Sequence, residues 1–287
     1  MIDLHLHSNC SDGVLSPSEV VKMAAQTGLQ TIALCDHDSI AGISEAMQAA
    51  GTMAVEVIPG VELSVCFAEF ADVHLLGYCF DLHATELRER LHEFAVRRSN
   101  RNREIVAAVN CKLIQQKRVP LDLAEVEQLA NGVMGRPHIA RALLQREYVS
   151  SMEEAFQRYL VPCDVPKTYW PMVDALATLK RIGGVAVLAH PTSISHDLGL
   201  LSKLIGQLQQ AGLDGIEVYN SLATEYEMTV LQRLASSLGL LATGGSDYHG
   251  IEPNDQMGKG RGGIRFPDTL LPPLRRRALE KQAAVTR

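Results

Sequence analysis

Apolar and polar side chains alternate strictly over residues 2–7 (Ile2-Asp3-Leu4-His5-Leu6-His7), the period of a strand with one apolar and one polar face. The period then lengthens. Ser16-Pro17-Ser18-Glu19 offers an N-cap serine, a proline at the first helical position and a glutamate that can close a capping box, and Gly28 follows the apolar stripe. The spacing therefore predicts a helix over 17–27. Apolar runs at 31–35, 57–64 and 73–80 read as further strands, with a second helix over about 40–50. Such alternation predicts parallel strands joined by crossover helices.

From about 84 to 159 the pattern is helical throughout, with no convincing strand. It predicts a long helix over 88–116, a shorter one over 121–130, a Gly132-Val133-Met134-Gly135-Arg136-Pro137 loop and two further helices. Prolines between Pro162 and Pro171 mark an extended exit. Strand-like runs resume at 185–189, 216–219, 240–243 and 263–266, between helices near 174–182, 200–211 and 226–238. The reading is an α/β domain made of 1–83 and 169–287, interrupted by a helical insertion, 84–168. About seven parallel strands suggest a barrel or near-barrel, which gathers its reactive groups at the C-terminal strand ends.

Composition narrows the class. The chain has 287 residues, is 46% hydrophobic and 21% charged, and suits one large globular α/β domain with an insertion. It starts without a basic leader, and no apolar run approaches the roughly 18 residues a membrane span needs, so a cytoplasmic protein with no membrane partner is expected. Six cysteines without a C-x-x-C pair read as reduced and structural. A net charge of −6 excludes a surface built to coat nucleic acid but leaves room for a basic pocket.

The chemistry lies in the histidines and acids at strand ends. Alternation puts His5 and His7 on one face of the first strand. Asp12 follows in a Ser-Asp-Gly loop, His37 ends the second strand, Glu62 lies in the third and His74 opens the fourth. Beyond the insertion, His190 closes Val-Leu-Ala-His-Pro, and Asp247 and His249 close Gly-Gly-Ser-Asp-Tyr-His. Nine such groups in one barrel mouth would leave many polar atoms unpaired without a compensating cation. Nine donors also exceed the needs of one ion, so two or three are implied. Nitrogen and oxygen donors without thiolate suit Mn²⁺, Fe²⁺ or Zn²⁺. Asp36 and Asp38 read as partners of the ligands or strand-end caps.

His5-x-His7, the Asp12 loop, the His37 motif, Glu62, His74, Ala189-His190-Pro191 and Asp247-x-His249, in that order, resemble the PHP (polymerase and histidinol phosphatase) family of metal-dependent phosphoesterases. The resemblance implies a distorted, TIM-like (β/α)₇ barrel with a trinuclear site, usually manganese. It implies His5, His7, Glu62 and Asp247 around one ion, Asp12, His37 and His249 around a second, and Glu62, His74 and His190 around a third. Glu62, His190 and Asp247 are then also the catalytic candidates.

Four arginines fall within residues 97–103, and Gly135-Arg136-Pro137-His138 leads into a helix in a manner suited to phosphate. These features resemble one branch of the family, the bacterial 3′,5′-nucleoside bisphosphate phosphatases, related to enzymes that trim RNA from its 5′ end. The expected substrate is a small 3′,5′-bisphosphonucleotide, such as adenosine 3′,5′-bisphosphate, or short RNA. One phosphate is expected on the metals and the other on Arg98, Asn100, Arg101, Arg136 and His138, with His196 adding to the grip. Three other readings are histidinol phosphatase, an exonuclease for longer RNA, and a non-catalytic module that keeps metal for folding. The first offers no second phosphate for an arginine-rich insertion, the second would call for more aromatic residues than 5% of the chain, and the third sits poorly with a complete ligand set.

Overall fold

The computed structural model describes residues 1–130, 133–251 and 256–285, and Gly132 of the expected loop lies outside them. The chain divides into two compact units, Met1–Arg88 with Tyr169–Arg287, and Glu89–Thr168. In the first, an eight-stranded sheet runs in the order β1-β2-β3-β4-β6-β7-β8, with β5 beside β3. The strands are β1 (Ile2–Leu6), β2 (Thr31–Leu34), β3 (Glu56–Phe67), β4 (Phe70–Tyr78), β5 (Trp170–Pro171), β6 (Val185–Leu188), β7 (Gly215–Tyr219) and β8 (Leu241–Gly244). Helices α1 (Pro17–Thr27) and α2 (Ile43–Ala50) follow β1 and β2. Helix α1 has the expected ends: Ser16 Oγ accepts from the Glu19 N–H, Glu19 accepts from the Ser16 N–H, and Gly28 adopts φ 78°.

The sheet is mostly parallel. The expected parallel fourth strand is corrected: β4 runs antiparallel to both β3 and β6, because β3 turns back through Ala68 and Glu69 into a hairpin. His74 consequently sits mid-strand, opposite Ser64, rather than opening the strand. The expected strand at 263–266 is also replaced, by a 3₁₀ turn at Arg261–Gly263 and two isolated antiparallel bridges, Lys259–Arg265 and Ile2–Phe266. Past β8 the chain meets β1 through a Leu6–Tyr248 bridge, with His7 N–H donating to Tyr248 O (3.0 Å) and Asp247 N–H to His5 O (2.9 Å).

Alternation decides what the strands bury. Ile2, Leu4, Ile58, Tyr78 and Val187 form one apolar cluster, against which Leu274 and Ala278 of a C-terminal helix, α10 (Leu271–Val285), pack. Leu6, Ile32 and Leu34 form another with Val20, Val21 and Ala24 of α1. Each such side chain contributes roughly 1.5–3 kcal/mol through burial. Further helices α7 (Met172–Arg181), α8 (Leu198–Gln210) and α9 (Glu225–Leu238) flank β6–β8 in sequence.

The second unit is helical, without strands among its described residues. It contains most of α3 (Thr85–Gln115), then α4 (Leu123–Ala130), α5 (Arg136–Gln145), α6 (Met152–Ala155) and a π-helical turn, Phe156–Leu160. Its core is formed by Ile105, Val109, Leu113, Leu143 and Tyr159 among others. The buried Tyr159 hydroxyl donates to Gln116 Oε1 (2.6 Å), as a buried phenol requires. No helix among the described residues is long and apolar enough to cross a membrane.

Candidate metal centre

Each donor reaches the site by a local device. His5 lies in β1, and the loop after His7 folds back so tightly that Ser8 O accepts from Ser11 and Gly13; a Cβ on Gly13 would lie 2.7 Å from His7 O. That loop presents Asp12. Asp36 holds it down by accepting from Ser8 N–H, Ser8 Oγ and Ser11 Oγ, each at 2.7 Å, and Asp38 accepts from Ser64 N–H at 2.8 Å. His37 forms a bridge to Glu62 of β3. His190 and Asp247, after β6 and β8, adopt φ 24° and 58°, in the left-handed region that residues with a side chain adopt uncommonly. Gly245 allows the last approach, since its Cβ would fall 2.2 Å from His5 Cβ.

Three donor groups result, each with its ligand atoms within 4.8 Å of one another: His5, His7, Glu62 and Asp247; His7, Asp12, His37 and His249; and His37, Glu62 and His74. The overlap exceeds expectation, with His7 and His37 each shared. His190 stands against the third group, with Nε2 3.1 Å from Glu62 Oε1 and 3.3 Å from His74 Nδ1. Glu62 is at the centre, with His5, His7 and His37 nitrogens 3.0–3.3 Å from Oε2 and His74 3.0 Å from Oε1. No cysteine belongs to these groups among the described residues.

These atoms crowd without pairing. His5 Nε2, both His7 ring nitrogens, Glu62 Oε2 and Asp247 Oδ1 are buried without a hydrogen bond of proper geometry, although His7 Nε2 lies only 2.9 Å from Asp247 Oδ1. Proximity without alignment is what lone pairs show when they converge on a common point, and the donor set fits divalent cations. Charge agrees. Burial opposes ionising Glu62, but His37, His74 and His5 around it hold its carboxyl well below the usual range. Burial likewise opposes protonating His7, yet Asp247 and Glu62 outweigh it and raise the imidazole to about 10. His5 is raised well above its usual value against the same penalty, through Glu62, Glu217 and Asp247. In His37 burial wins, and the ring falls to about 3.

Two carboxylates not foreseen in the sequence support the site. Glu217, fully buried in β7, stands 3.0 Å from His5 Nδ1 and accepts from His190 N–H at 2.9 Å. Asp3, also buried, accepts from Ser246 N–H, Ser246 Oγ and Gly258 N–H, tying the first strand to the chain after the last. The signals were present: Asp3 shares the polar face of His5 and His7, and Glu217 is a lone acid in an apolar strand.

Several of the residues expected to grip phosphate already have protein partners. In the helical unit, Asp164 bridges Arg101 (2.6 Å) and Arg136 (3.3 Å), and Arg101 Nε also donates to Val165 O. Arg98 is half-buried and Asn100 exposed on α3. His138 Nδ1 accepts from Gly135 N–H at the start of α5, a capping contact. His196 belongs to the other unit, where it is exposed and its Nδ1 lies 2.6 Å from Glu227.

Comparison with known proteins agrees with this chemistry. A 5′-3′ exoribonuclease of Haemophilus influenzae is 36% identical over 250 residues, covering 86% of this chain and 89% of the relative. A 3′,5′-nucleoside bisphosphate phosphatase of Chromobacterium violaceum is 32% identical over 260 residues, covering 86% and 87%. A Bifidobacterium adolescentis structure, provisionally described as a metal-dependent phosphoesterase, superposes with a TM-score of 0.81 over 96% of each chain; at 24% identity it shows the fold. The PHP domain model matches residues 3–160, from the aspartate beside His5 to beyond Glu62 and His74, and the chain belongs to the PHP-domain family.

Proposed function

We propose that this protein is a metal-dependent phosphatase that removes the 3′-phosphate of small 3′,5′-bisphosphonucleotides, with 5′-to-3′ exoribonuclease action on short RNA as a second activity. The observation that carries the reading is the convergence of unpaired buried donors around Glu62. The names of the Haemophilus and Chromobacterium relatives support the two activities.

In this reading His5, His7, Asp12, His37, Glu62, His74, His190, Asp247 and His249 hold three divalent ions, taken as Mn²⁺, with Zn²⁺ or Fe²⁺ suited to the same donors. Bound ions supply a nucleophile at neutral pH and positive charge for the phosphoryl oxygens, both needed for a reaction whose uncatalysed rate is among the slowest known. The chain's own residues do the positioning. Glu62 orients between the donor groups, Glu217 fixes His5 and the His190 backbone, and Asp36 fixes the Asp12 loop. We assign 1–83 with 169–287 as a distorted (β/α)₇ barrel and 84–168 as its insertion; the Leu6–Tyr248 bridge supports closure of that barrel.

A phosphate-release panel with added Mn²⁺ tests the proposal, using adenosine 3′,5′-bisphosphate, 3′-AMP, 5′-AMP, histidinol phosphate and a short 5′-phosphorylated RNA. Preference for the bisphosphate, lost in His5→Ala, is expected. Turnover of histidinol phosphate alone would overturn the substrate assignment, and no release from any ester by the metal-loaded chain would overturn the catalytic one.

A further inference from the structure

The reaction proposed above removes one phosphate and leaves the other on the product, so a seat for the retained phosphate must release it in every cycle. In the helical unit, two of the arginines expected to grip phosphate already hold an anion. Asp164 gives one carboxylate oxygen to each: Oδ1 accepts from Arg101 Nη2 (2.6 Å) and Oδ2 from Arg136 Nη1 (3.3 Å). A phosphate would join the same pair in the same way, with one oxygen on each guanidinium. Asp164 thus stands where a phosphoryl group would.

The two guanidinia have supports besides this carboxylate. Arg101 Nε donates to Val165 O (2.6 Å), which fixes that side chain from the backbone. Arg136 lies over the Phe156 ring, with Cζ 5.9 Å from the ring centroid. The buried Asn102, next to Arg101 on α3, donates to Met134 O and so anchors the chain two residues before Arg136. Arg101 and Arg136 are half-buried, whereas Asp164 is exposed beyond the π-helical turn, its N–H donating to Val161 O (3.3 Å). Its carboxylate can therefore turn out to water while the arginines stay.

Charge favours the exchange. Each guanidinium has five N–H donors, and the contacts just given use two on Arg101 and one on Arg136. Among the described residues Asp164 is the only carboxylate within 4 Å of either, and Asn131 and Gly132, which lie outside them in this unit, carry no charge. Two guanidinia and one carboxylate leave one positive charge uncompensated, so a phosphomonoester dianion in place of the carboxylate balances the pair fully. The pair then holds phosphate only by the difference between the two affinities, which keeps the bound phosphate exchangeable.

We propose that Asp164 is an intramolecular competitor for Arg101 and Arg136: its carboxylate occupies them in the free protein, yields to the 5′-phosphate of the substrate, and returns to expel that phosphate with the product. The proposal rests on the bisphosphonucleotide reading for its substrate, but its test reads binding and not turnover. The Mn²⁺-loaded full chain is titrated calorimetrically with 5′-AMP, the product that keeps the phosphate, and with adenosine. Asp164→Asn is expected to bind 5′-AMP about threefold or more tightly than wild type, the scale of two exposed ion pairs that need no longer be broken, with adenosine unchanged. Asp164→Ala should shift the same way, and Asp164→Glu, which keeps the charge, should stay near wild type. Arg101→Met and Arg136→Met should reduce the preference for 5′-AMP over adenosine, with circular dichroism native throughout. A carboxylate that merely braces the arginines predicts the opposite sign, so unchanged or weaker 5′-AMP binding in Asp164→Asn would overturn the proposal. A preference for 5′-AMP that survives both methionine variants would do the same. Phosphate release from adenosine 3′,5′-bisphosphate, measured separately, decides the catalytic reading and leaves the change in affinity to decide the role of Asp164.

Discussion

Replacing Glu217 by glutamine should weaken metal binding without changing any ligand. A carboxylate can only accept, so Glu217 keeps the hydrogen of His5 on Nδ1 and leaves the Nε2 lone pair facing Glu62 (3.3 Å) and Asp247 (3.5 Å). Glutamine has the same shape but one acceptor and one donor. If its carbonyl keeps the His190 N–H, its amide NH₂ faces His5 Nδ1 and drives the ring hydrogen onto Nε2, where a cation must displace it. Loss of such an orienting partner costs about 10–100-fold in affinity, or about 1.4–2.8 kcal/mol. Glu217→Ala is expected to be worse, since stranding one member of a fully buried pair costs about 3–5 kcal/mol of stability. Competition for Mn²⁺ against a fluorescent chelator measures the first effect, and thermal unfolding in EDTA separates the second. A folded Glu217→Gln protein that holds all its Mn²⁺ within about twofold of wild type would refute the reasoning.

Gly245→Ala should be poorly folded, because the new methyl group would overlap His5 Cβ at 2.2 Å and His5 N at 2.6 Å; recovery of soluble protein with a native melting temperature would count against the packing. Metal removal should lower the melting temperature by about 5–10 °C relative to a hundredfold excess of Mn²⁺ over its Kd, and readdition should restore it. A melting temperature indifferent to chelation would contradict the cation site. Glu227 caps α9 by accepting from Thr224 N–H (2.7 Å). Burial pushes its carboxyl upward, but His196 and Thr224 outweigh it and bring it down to about 2. A depressed acid stabilises the fold above its unfolded value, about 4.3, and loses that contribution as pH falls toward 2. The gap in urea midpoint between wild type and Glu227→Gln should therefore narrow as pH falls below about 4.

Much of this was legible because the relevant signals are local. Ser16, Glu19 and Gly28 define the ends of α1 chemically, and nine imidazoles and carboxylates at strand ends point to a common mouth whatever the exact strand order. The direction of β4 was hidden, since alternation of apolar residues is the same read either way. The turn that reverses the chain also lacks the Asn-Gly or Asp-Gly signature, using Ala68 at φ 52° instead. The state of the arginines in the helical unit was hidden for another reason: a charge cluster in sequence does not reveal that Asp164, 63 residues beyond Arg101, closes on it. Glu217 was missed because a single acid in an apolar strand acquires meaning only through its neighbours in space.

The tie between Asp3 and Ser246 separates partners by 243 positions, and the donor group of His5, His7 and Glu62 is completed only by Asp247. During synthesis from the N-terminus, His5, His7 and Glu62 emerge long before Asp247 and cannot yet complete that group, although His37, Glu62 and His74 of the third are by then all present. A chain that terminates before β8 retains most of the donors but lacks the full cage. Completion of that group is thereby tied to synthesis of β8, the last strand of the sheet.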